Sequence, residues 1–443
     1  MDNVRALDRI RKSKGVQASL QNIGWLSVDR IIRMLGAVVI NTAVARYLGP
    51  SQFGLLNYGI AIFSLFNIMS NLGLDLLVVR DLALDESIAP QILGTGFILK
   101  AAASILTTLL AVGTVCLLEP NNKFLLALVA LMSVAGISQA LDVIDYFFQS
   151  KTRSLLSTLP RTSVFVAASG ARLFAVIFHL TLTAFAWIFA AEILLTELGL
   201  AGSYYLFQRP FRRWIFQLDV ARRLLRESWP LLVSSVMYLV YFRSDQVLLG
   251  KLASKAVVGQ YTAAIRLSEI WYSIPIIVCA SVMPRILKSR EADPERYYSR
   301  LQRLYESMVL VSIAVAVATQ FAGSFAVRLL YGVEYAAAAQ ILAIHIWTGA
   351  FSAVGQIGGQ QFVQEGLTVS SMYRMSIGAV LNVALNLLWI PRWGGVGSAY
   401  ATLVAQSVAC YFADAFDSRT QHIFRMKTLA YLRFWMLPRL ILQ

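Results

Sequence analysis

Cysteine and histidine are nearly absent from this chain of 443 residues, with three of each. Cys116, Cys279 and Cys410 stand singly in apolar runs, and no CxxC or HExxH spacing occurs. Neither a disulfide framework nor a zinc site is supported, and the scattered His179, His345 and His422 suggest no metal centre. Charge is scarce as well: 14% of residues are Asp, Glu, Lys or Arg, against about 25% in an ordinary soluble domain. No GxxxxGK[ST] loop is present, which excludes ATP hydrolysis by that route. No GxSxG and no clustered carboxylate pair in a soluble loop argues for catalysis. The expectation is a protein that is not an enzyme and carries no cofactor. The basic, amphipathic N-terminus leads into an apolar run too long for the core of a cleavable signal peptide.

What is abundant is hydrophobicity. Apolar residues make up 58% of the chain, and mean hydropathy is +0.63. A membrane-spanning helix needs about 20 mostly apolar residues. Twelve such stretches can be read, at roughly 22–47, 53–75, 91–118, 124–148, 155–178, 182–206, 228–250, 257–284, 304–327, 336–363, 371–391 and 395–416. The connections are short except after the sixth and eighth spans, so no extramembrane segment is long enough for a core of its own. The fold class expected is all-α: a polytopic membrane protein of about twelve transmembrane helices.

The net charge of +15 has its explanation in where the charges fall. With the N-terminus in the cytoplasm, 26 of the 39 Lys and Arg lie in cytoplasmic segments and six on the opposite side, alternating loop by loop. That is the positive-inside pattern. It sets both termini in the cytoplasm and accounts for the basic composition without nucleic acid as a partner.

The chain reads as two six-helix lobes, 1–206 and 228–416. Between them lies a cytoplasmic linker, 207–227, with an amphipathic helix, and a cytoplasmic or interfacial tail follows at 417–443. Each lobe opens on a basic amphipathic stretch leading to a Trp, Trp25 and Trp229. In each, a long helix then runs to a turn with a Gly: RYLGPSQFGLLNYGIA, with Gly54, against KLASKAVVGQYTAAIR, with Gly259. The two matches share offsets of 204 and 205 residues. Paired lobes with a site between them are a common transporter plan. Gly358–Gly359, Gly394–Gly395 and Gly397 fit close helix packing or turns.

Seven basic residues fall inside spans: Arg30, Arg33, Lys100, Arg161, Arg172, Arg243 and Arg266. Each costs about 2.5–3.5 kcal/mol at a helix centre if it faces lipid, so they must snorkel, pair or line a wet cavity. Arg30 and Arg161 are near enough to the cytoplasmic end to snorkel. The mid-span acids are Asp29, Glu192, Asp245 and Glu269. Asp29 can reach Arg33, and Arg266 can reach Glu269. Arg243 and Asp245, two apart, point in different directions. Asp75, Asp142, Asp145 and Glu197, near cytoplasmic span ends, read as interfacial. Seven bases against four acids suggest a cationic cavity suited to an anion such as a diphosphate, for which Arg offers forked donors. Buried ion pairs holding helices in register are the alternative for any single residue.

These residues carry a resemblance. RYLGPSQFGLLNYGIAIFSLF followed by NLGLDLLVVRDLA resembles the first two helices of polysaccharide flippases, in the multidrug/oligosaccharidyl-lipid/polysaccharide exporter superfamily. YFRSDQVLLGKLASKAVVGQYTAAIRLSEIWYSIPIIVCASVMPRIL resembles their seventh and eighth helices, and LNLLWIPRWGGVGSAYATLVAQ their eleventh-to-twelfth connection. The resemblance covers almost the whole chain. It implies two six-helix lobes, alternating access without ATP, and cavity walls drawn largely from helices 1, 2, 7 and 8. The implied cargo is an oligosaccharide on a polyprenyl diphosphate, moved from the cytoplasmic to the periplasmic leaflet of a bacterial inner membrane. A polysaccharide polymerase and a chain-length regulator are further candidate partners, alongside membrane lipids. Arg243 departs from the pattern, because such proteins often carry an apolar residue there.

On this reading Arg30, Arg33, Arg243 and Arg266 bind phosphate or acidic sugars, with Arg172, Arg161 and Lys100 as further cavity candidates. Asp29, Asp245, Glu269 and Glu192 orient them or carry a coupling proton or Na⁺. Three alternatives stay open: a drug or cation exporter of the same superfamily, a non-transporting scaffold of a polysaccharide assembly complex, and a membrane glycosyltransferase.

Overall fold

A computed structural model describes residues 2–207, 214–287 and 293–434, with the side chains at 2–35, 280, 284, 285 and 368 outside the description. The described residues are helical, with no strand among them. The helices are α1 (Asp2–Ser70), α2 (Asp75–Leu84), α3 (Ala89–Leu118), α4 (Lys123–Gly136), α5 (Val143–Ser150), α6 (Leu155–Ile177) and α7 (Leu182–Phe207). They continue with α8 (Leu218–Leu252), α9 (Lys255–Leu287), α10 (Pro294–Tyr331), α11 (Ala336–His345), α12 (Thr348–Gln364), α13 (Thr368–Cys410) and α14 (Gln421–Arg433). Helices dominate for a physical reason: hydrocarbon offers no partner to a backbone N–H or C=O, so a span must satisfy its own.

The twelve apolar stretches map onto these helices, and glycine marks where one helix becomes two. Gly49, at φ 66°, bends α1 just before Pro50. Gly394, at φ 55°, bends α13 after Pro391. A left-handed φ is open to glycine and costly to most other residues. Span 124–148 is α4 and α5 joined by a 3₁₀ stretch, Ile137–Asp142. Span 336–363 is α11 and α12, bent by 47°. Among the described residues, seven segments are long and apolar enough to cross a membrane, or eight if that bent pair is one span. Val369–Ala415 covers the two expected spans 371–391 and 395–416, and Gly36–Leu84 holds the span 53–75 with the end of 22–47. Helices α6 and α8 are not among the seven, and they carry Arg161 and Arg172, and Arg243 and Asp245. Large apolar side chains such as Leu109, Phe321 and Val380 are exposed on helix faces, as a lipid-facing surface requires.

The chain divides into two compact units. One holds the chain up to Val44 and Ile62–Val236; the other holds Ala45–Ala61 and everything from Met237. The first packs around Leu93, Val143, Ile144, Phe148 and Leu200. Its linker residues are docked on it: the Ile215 N–H donates to Pro90 at 3.0 Å, and Arg223 pairs with Asp81 at 2.9 Å. The second packs around Met283, Tyr297, Tyr305, Val354 and Ile357. There the tail helix α14 buries Ile423, Lys427 and Ala430, so one of its faces belongs to the protein interior.

Candidate functional site: charged interiors of two helical units

The first unit builds a polar cavity where two helices break. After Ser70 the chain turns through Asn71–Leu74, with Leu72 at φ 54° and Gly73 at φ 66°. Gly73 is held tightly: a Cβ there would meet the Leu232 nitrogen at 2.7 Å. The second break is the 3₁₀ stretch Ile137–Asp142. Irregular backbone at membrane depth is tolerated where it is buried or lines a cavity, and mid-helix 3₁₀ segments often accompany function. Between the two breaks lies a cavity of about 370 Å³ with Lys100, Asp142, Asp145, Tyr146 and Arg161 in its wall.

These side chains form one network. Lys100, on α3, is 1% exposed. Its Nζ donates to Asn71 Oδ1 and Tyr146 Oη, each at 3.1 Å, and lies 3.4 Å from Asp142 Oδ2. Tyr146 Oη donates to the same Asn71 oxygen at 2.7 Å. Arg161, near the start of α6, spans two carboxylates: Nη2 reaches Asp142 Oδ1 at 2.9 Å and Nη1 reaches Asp145 Oδ2 at 2.8 Å. Glu197, on α7, is buried close to this cluster, and its Oε2 has no hydrogen-bond partner among the described residues. In this cavity the expected excess of positive charge is reversed. Asp75, Asp142 and Asp145 face two cations, Lys100 and Arg161, and both cations are already engaged. The cause is plain: Asp142 and Asp145, which read as interfacial from their place at a span end, turn inward at the 3₁₀ break.

The other intramembrane charges are distributed differently. Arg172 on α6 pairs with Glu192 on α7, a contact separate from the cavity wall. In the second unit Arg266 pairs with Glu269 at 3.3 Å, one turn along α9. Arg243 is half-buried on α8 and, among the described residues, forms no ion pair. The side chains of Asp29, Arg30 and Arg33 lie outside the described residues.

Asp245 is the centre of a second polar cluster, and it is almost fully buried. Tyr261 of α9 donates its hydroxyl to Oδ2, and the Gln246 backbone N–H donates to Oδ1 at 2.7 Å. Around this pair, Thr402 Oγ1 lies 3.4 Å from the Tyr261 hydroxyl. Asn382 donates to Thr402 at 3.3 Å, and Asn386 donates to Asn382 Oδ1 at 3.1 Å. A carboxylate buried without a salt-bridge partner is costly unless hydrogen bonds compensate it, and here hydroxyls and amides supply them. Sequence reasoning singled out Asp245 and missed its neighbours. The available signal was the polar repeat Asn382/Asn386 and Ser398/Thr402, each four apart and so on one helix face.

A third cluster fastens the tail. Lys427 of α14 is completely buried, donating to Asp414 Oδ2 and, at 2.7 Å, to the Cys410 carbonyl. Arg374 lies 3.9 Å from the other Asp414 oxygen, with its guanidinium 4.4 Å from the centre of the Phe362 ring. Gly358 makes the room: a Cβ there would stand 2.9 Å from Lys427 Nζ.

Long apolar helices with lipid-facing apolar side chains define a multi-pass membrane protein. Comparison then gives the family. A family model for polysaccharide biosynthesis proteins matches residues 19–290, and the chain belongs to that family. A MatE model matches residues 230–388. Among solved structures, the chain is similar to the lipid II flippase MurJ in an inward closed conformation. The TM-score is 0.71 at 15% identity, over 93% of this chain and 91% of that one. It is also similar to an inward-facing multidrug resistance MATE family transporter of the MOP superfamily, with TM-score 0.70 at 14% identity, over 94% of this chain and 99% of that one. A MOP superfamily transporter from Pyrococcus furiosus gives TM-score 0.54 at 13% identity, over 96% and 99%. At such identities the likeness is one of fold, and the fold is that of MOP superfamily transporters. No curated protein sequence matches the chain.

Proposed function

We propose that this protein flips an oligosaccharide carried on a polyprenyl diphosphate from the cytoplasmic to the periplasmic leaflet of a bacterial inner membrane, for synthesis of a surface polysaccharide. The observation that carries the reading is the family match over residues 19–290 on a chain with a flippase-like fold. The intramembrane arginines give it chemistry. Arg243 and Arg266 on α8 and α9 supply forked donors for a diphosphate, and Arg30 and Arg33 remain candidates from the sequence alone. Asp245, ringed by hydroxyl and amide groups, is the residue suited to carry a coupling proton or Na⁺, with Glu269 and Glu192 beside arginines that they orient.

Substitution tests it. In a strain lacking the native protein, Arg243→Ala and Arg266→Ala abolish surface polysaccharide at normal protein level. Unimpaired export in both single variants and in the double variant contradicts the reading. A cation-coupled exporter of small molecules is the second reading, favoured by the MatE match over 230–388. It predicts drug sensitivity on loss of the protein and unchanged surface polysaccharide.

A further inference from the structure

The cavity of the first unit has the wrong chemistry for the diphosphate and the right chemistry for a different part of the cargo. Its two cations are already engaged, by Asp142 for Lys100 and by Asp142 and Asp145 for Arg161. Carboxylates outnumber them, so an added anion meets like charge. Its volume of about 370 Å³ falls in the range of small-molecule pockets, about 300–1,000 Å³, and is far larger than a dehydrated ion. Of the fourteen described residues that line it, three are aliphatic, Ile68, Leu76 and Val79, too few for a lipid tail or an apolar drug.

What remains in the wall is a set of planar polar groups. Asn67, Asn71, Gln139 and Gln149 bring amides that hold one another and the charged groups in place, Asn67 donating to Gln139 Oε1 at 2.7 Å, and Asp75 brings a carboxylate that has no ion pair or side-chain hydrogen bond among the described residues. Amides both donate and accept, and a carboxylate accepts from several donors. Vicinal sugar hydroxyls, which donate and accept in pairs, complement that set. Asp145 is held by Arg161 and by Gln149 at 2.9 Å, so part of the wall is fixed before any ligand arrives, and preorganisation lowers the cost of binding.

We propose that this cavity seats a pyranose of the cargo's head group that bears hydroxyl or amide substituents and no carboxylate. The proposal rests on the flippase reading above and narrows it to a class of sugar.

The test uses the full chain in lipid nanodiscs and three probes: farnesyl diphosphate, the same diphosphate esterified to N-acetylglucosamine, and the same esterified to glucuronic acid. The wild type binds the N-acetylglucosamine ester at least tenfold tighter than the bare diphosphate, a difference of about 1.4 kcal/mol. It binds the glucuronic acid ester no tighter than the bare diphosphate. Asp75→Ala and Gln149→Ala remove the preference and keep the affinity for farnesyl diphosphate within about twofold, which also reports that they are folded. Val79→Phe, which fills the cavity without removing a polar group, does the same. Equal affinity of the wild type for all three probes, a preference for the glucuronic acid ester, or a preference surviving all three variants overturns the proposal. Failure of every probe to bind the wild type, farnesyl diphosphate included, overturns the flippase reading, and the proposal falls with it.

Discussion

Gly54 and Gly259 each lie against the backbone of the other's turn. A Cβ on Gly54 would stand 1.7 Å from the carbonyl oxygen of Lys255, and one on Gly259 would stand 2.1 Å from the carbonyl oxygen of Pro50. Both pairs of equivalent positions, 54 with 259 and 50 with 255, are 205 residues apart. The contact is therefore reciprocal, as in an isologous interface between two copies. The segment Ala45–Ala61 is held in the second unit by this contact and by the Tyr335 hydroxyl, which donates to the Ala45 carbonyl at 2.8 Å.

Alanine at either glycine is expected to push the two turns apart. Overpacking costs about 1–3 kcal/mol, and one kcal/mol moves the melting temperature of a 150–250-residue unit by about 2–4 °C. Gly54→Ala and Gly259→Ala should each lower the apparent melting temperature of the purified protein by about 5 °C. The control is Gly113→Ala, where a Cβ meets nothing within 4 Å. Its melting temperature should stay or rise slightly, because alanine favours the helix. Equal effects at all three positions would show that the close approach has no energetic consequence.

Lys100 and Asp142 should behave asymmetrically. Removing one partner of a buried ion pair costs about 3–5 kcal/mol, because the other charge is left without compensation. Asp142 supports both Lys100 and Arg161, whereas Arg161 keeps Asp145 when Asp142 is lost. Asp142→Ala should therefore be strongly destabilising, and Lys100→Met markedly less so. The double variant should recover part of the loss, by about 1 kcal/mol or more on a double-mutant cycle. Strict additivity in thermal unfolding would show that the two charges do not interact.

The tail helix gives a third asymmetry. Lys427 and Arg374 share Asp414, so Lys427→Met leaves one cation on one acid. Asp414→Asn leaves two buried cations facing each other. Limited proteolysis between α13 and α14 should be accelerated severalfold in Asp414→Asn and little changed in Lys427→Met. Equal protection in both would show that the carboxylate does not hold α14 in place.

Much of the fold was legible because hydrocarbon leaves few options: each apolar stretch of about 20 residues had to become a helix. The pairing of Arg266 with Glu269 followed from their spacing of three on one helix. The chemistry inside the first unit was far less legible. Asp142 and Asp145 look interfacial when a span is treated as one continuous helix, and the 3₁₀ stretch that turns them inward leaves no signature in the hydropathy. Lys427 illustrates the same limit. In sequence it is one basic residue of a basic tail, and only the packing of α14 against Gly358 and Asp414 buries it. Asp245 stood out as an acid in an apolar run, yet its hydroxyl and amide neighbours come from α9 and α13, too distant in sequence to be assembled by inspection.

The most direct test of the account is flipping itself. Purified protein is reconstituted into liposomes holding a fluorescent oligosaccharide on a polyprenyl diphosphate, and a membrane-impermeant quencher is added outside. Wild-type protein should expose label from the inner leaflet without ATP, and the Arg243→Ala/Arg266→Ala double variant should leave that label protected at equal protein content. Inner-leaflet label that stays as protected with wild-type protein as in protein-free liposomes would contradict the account.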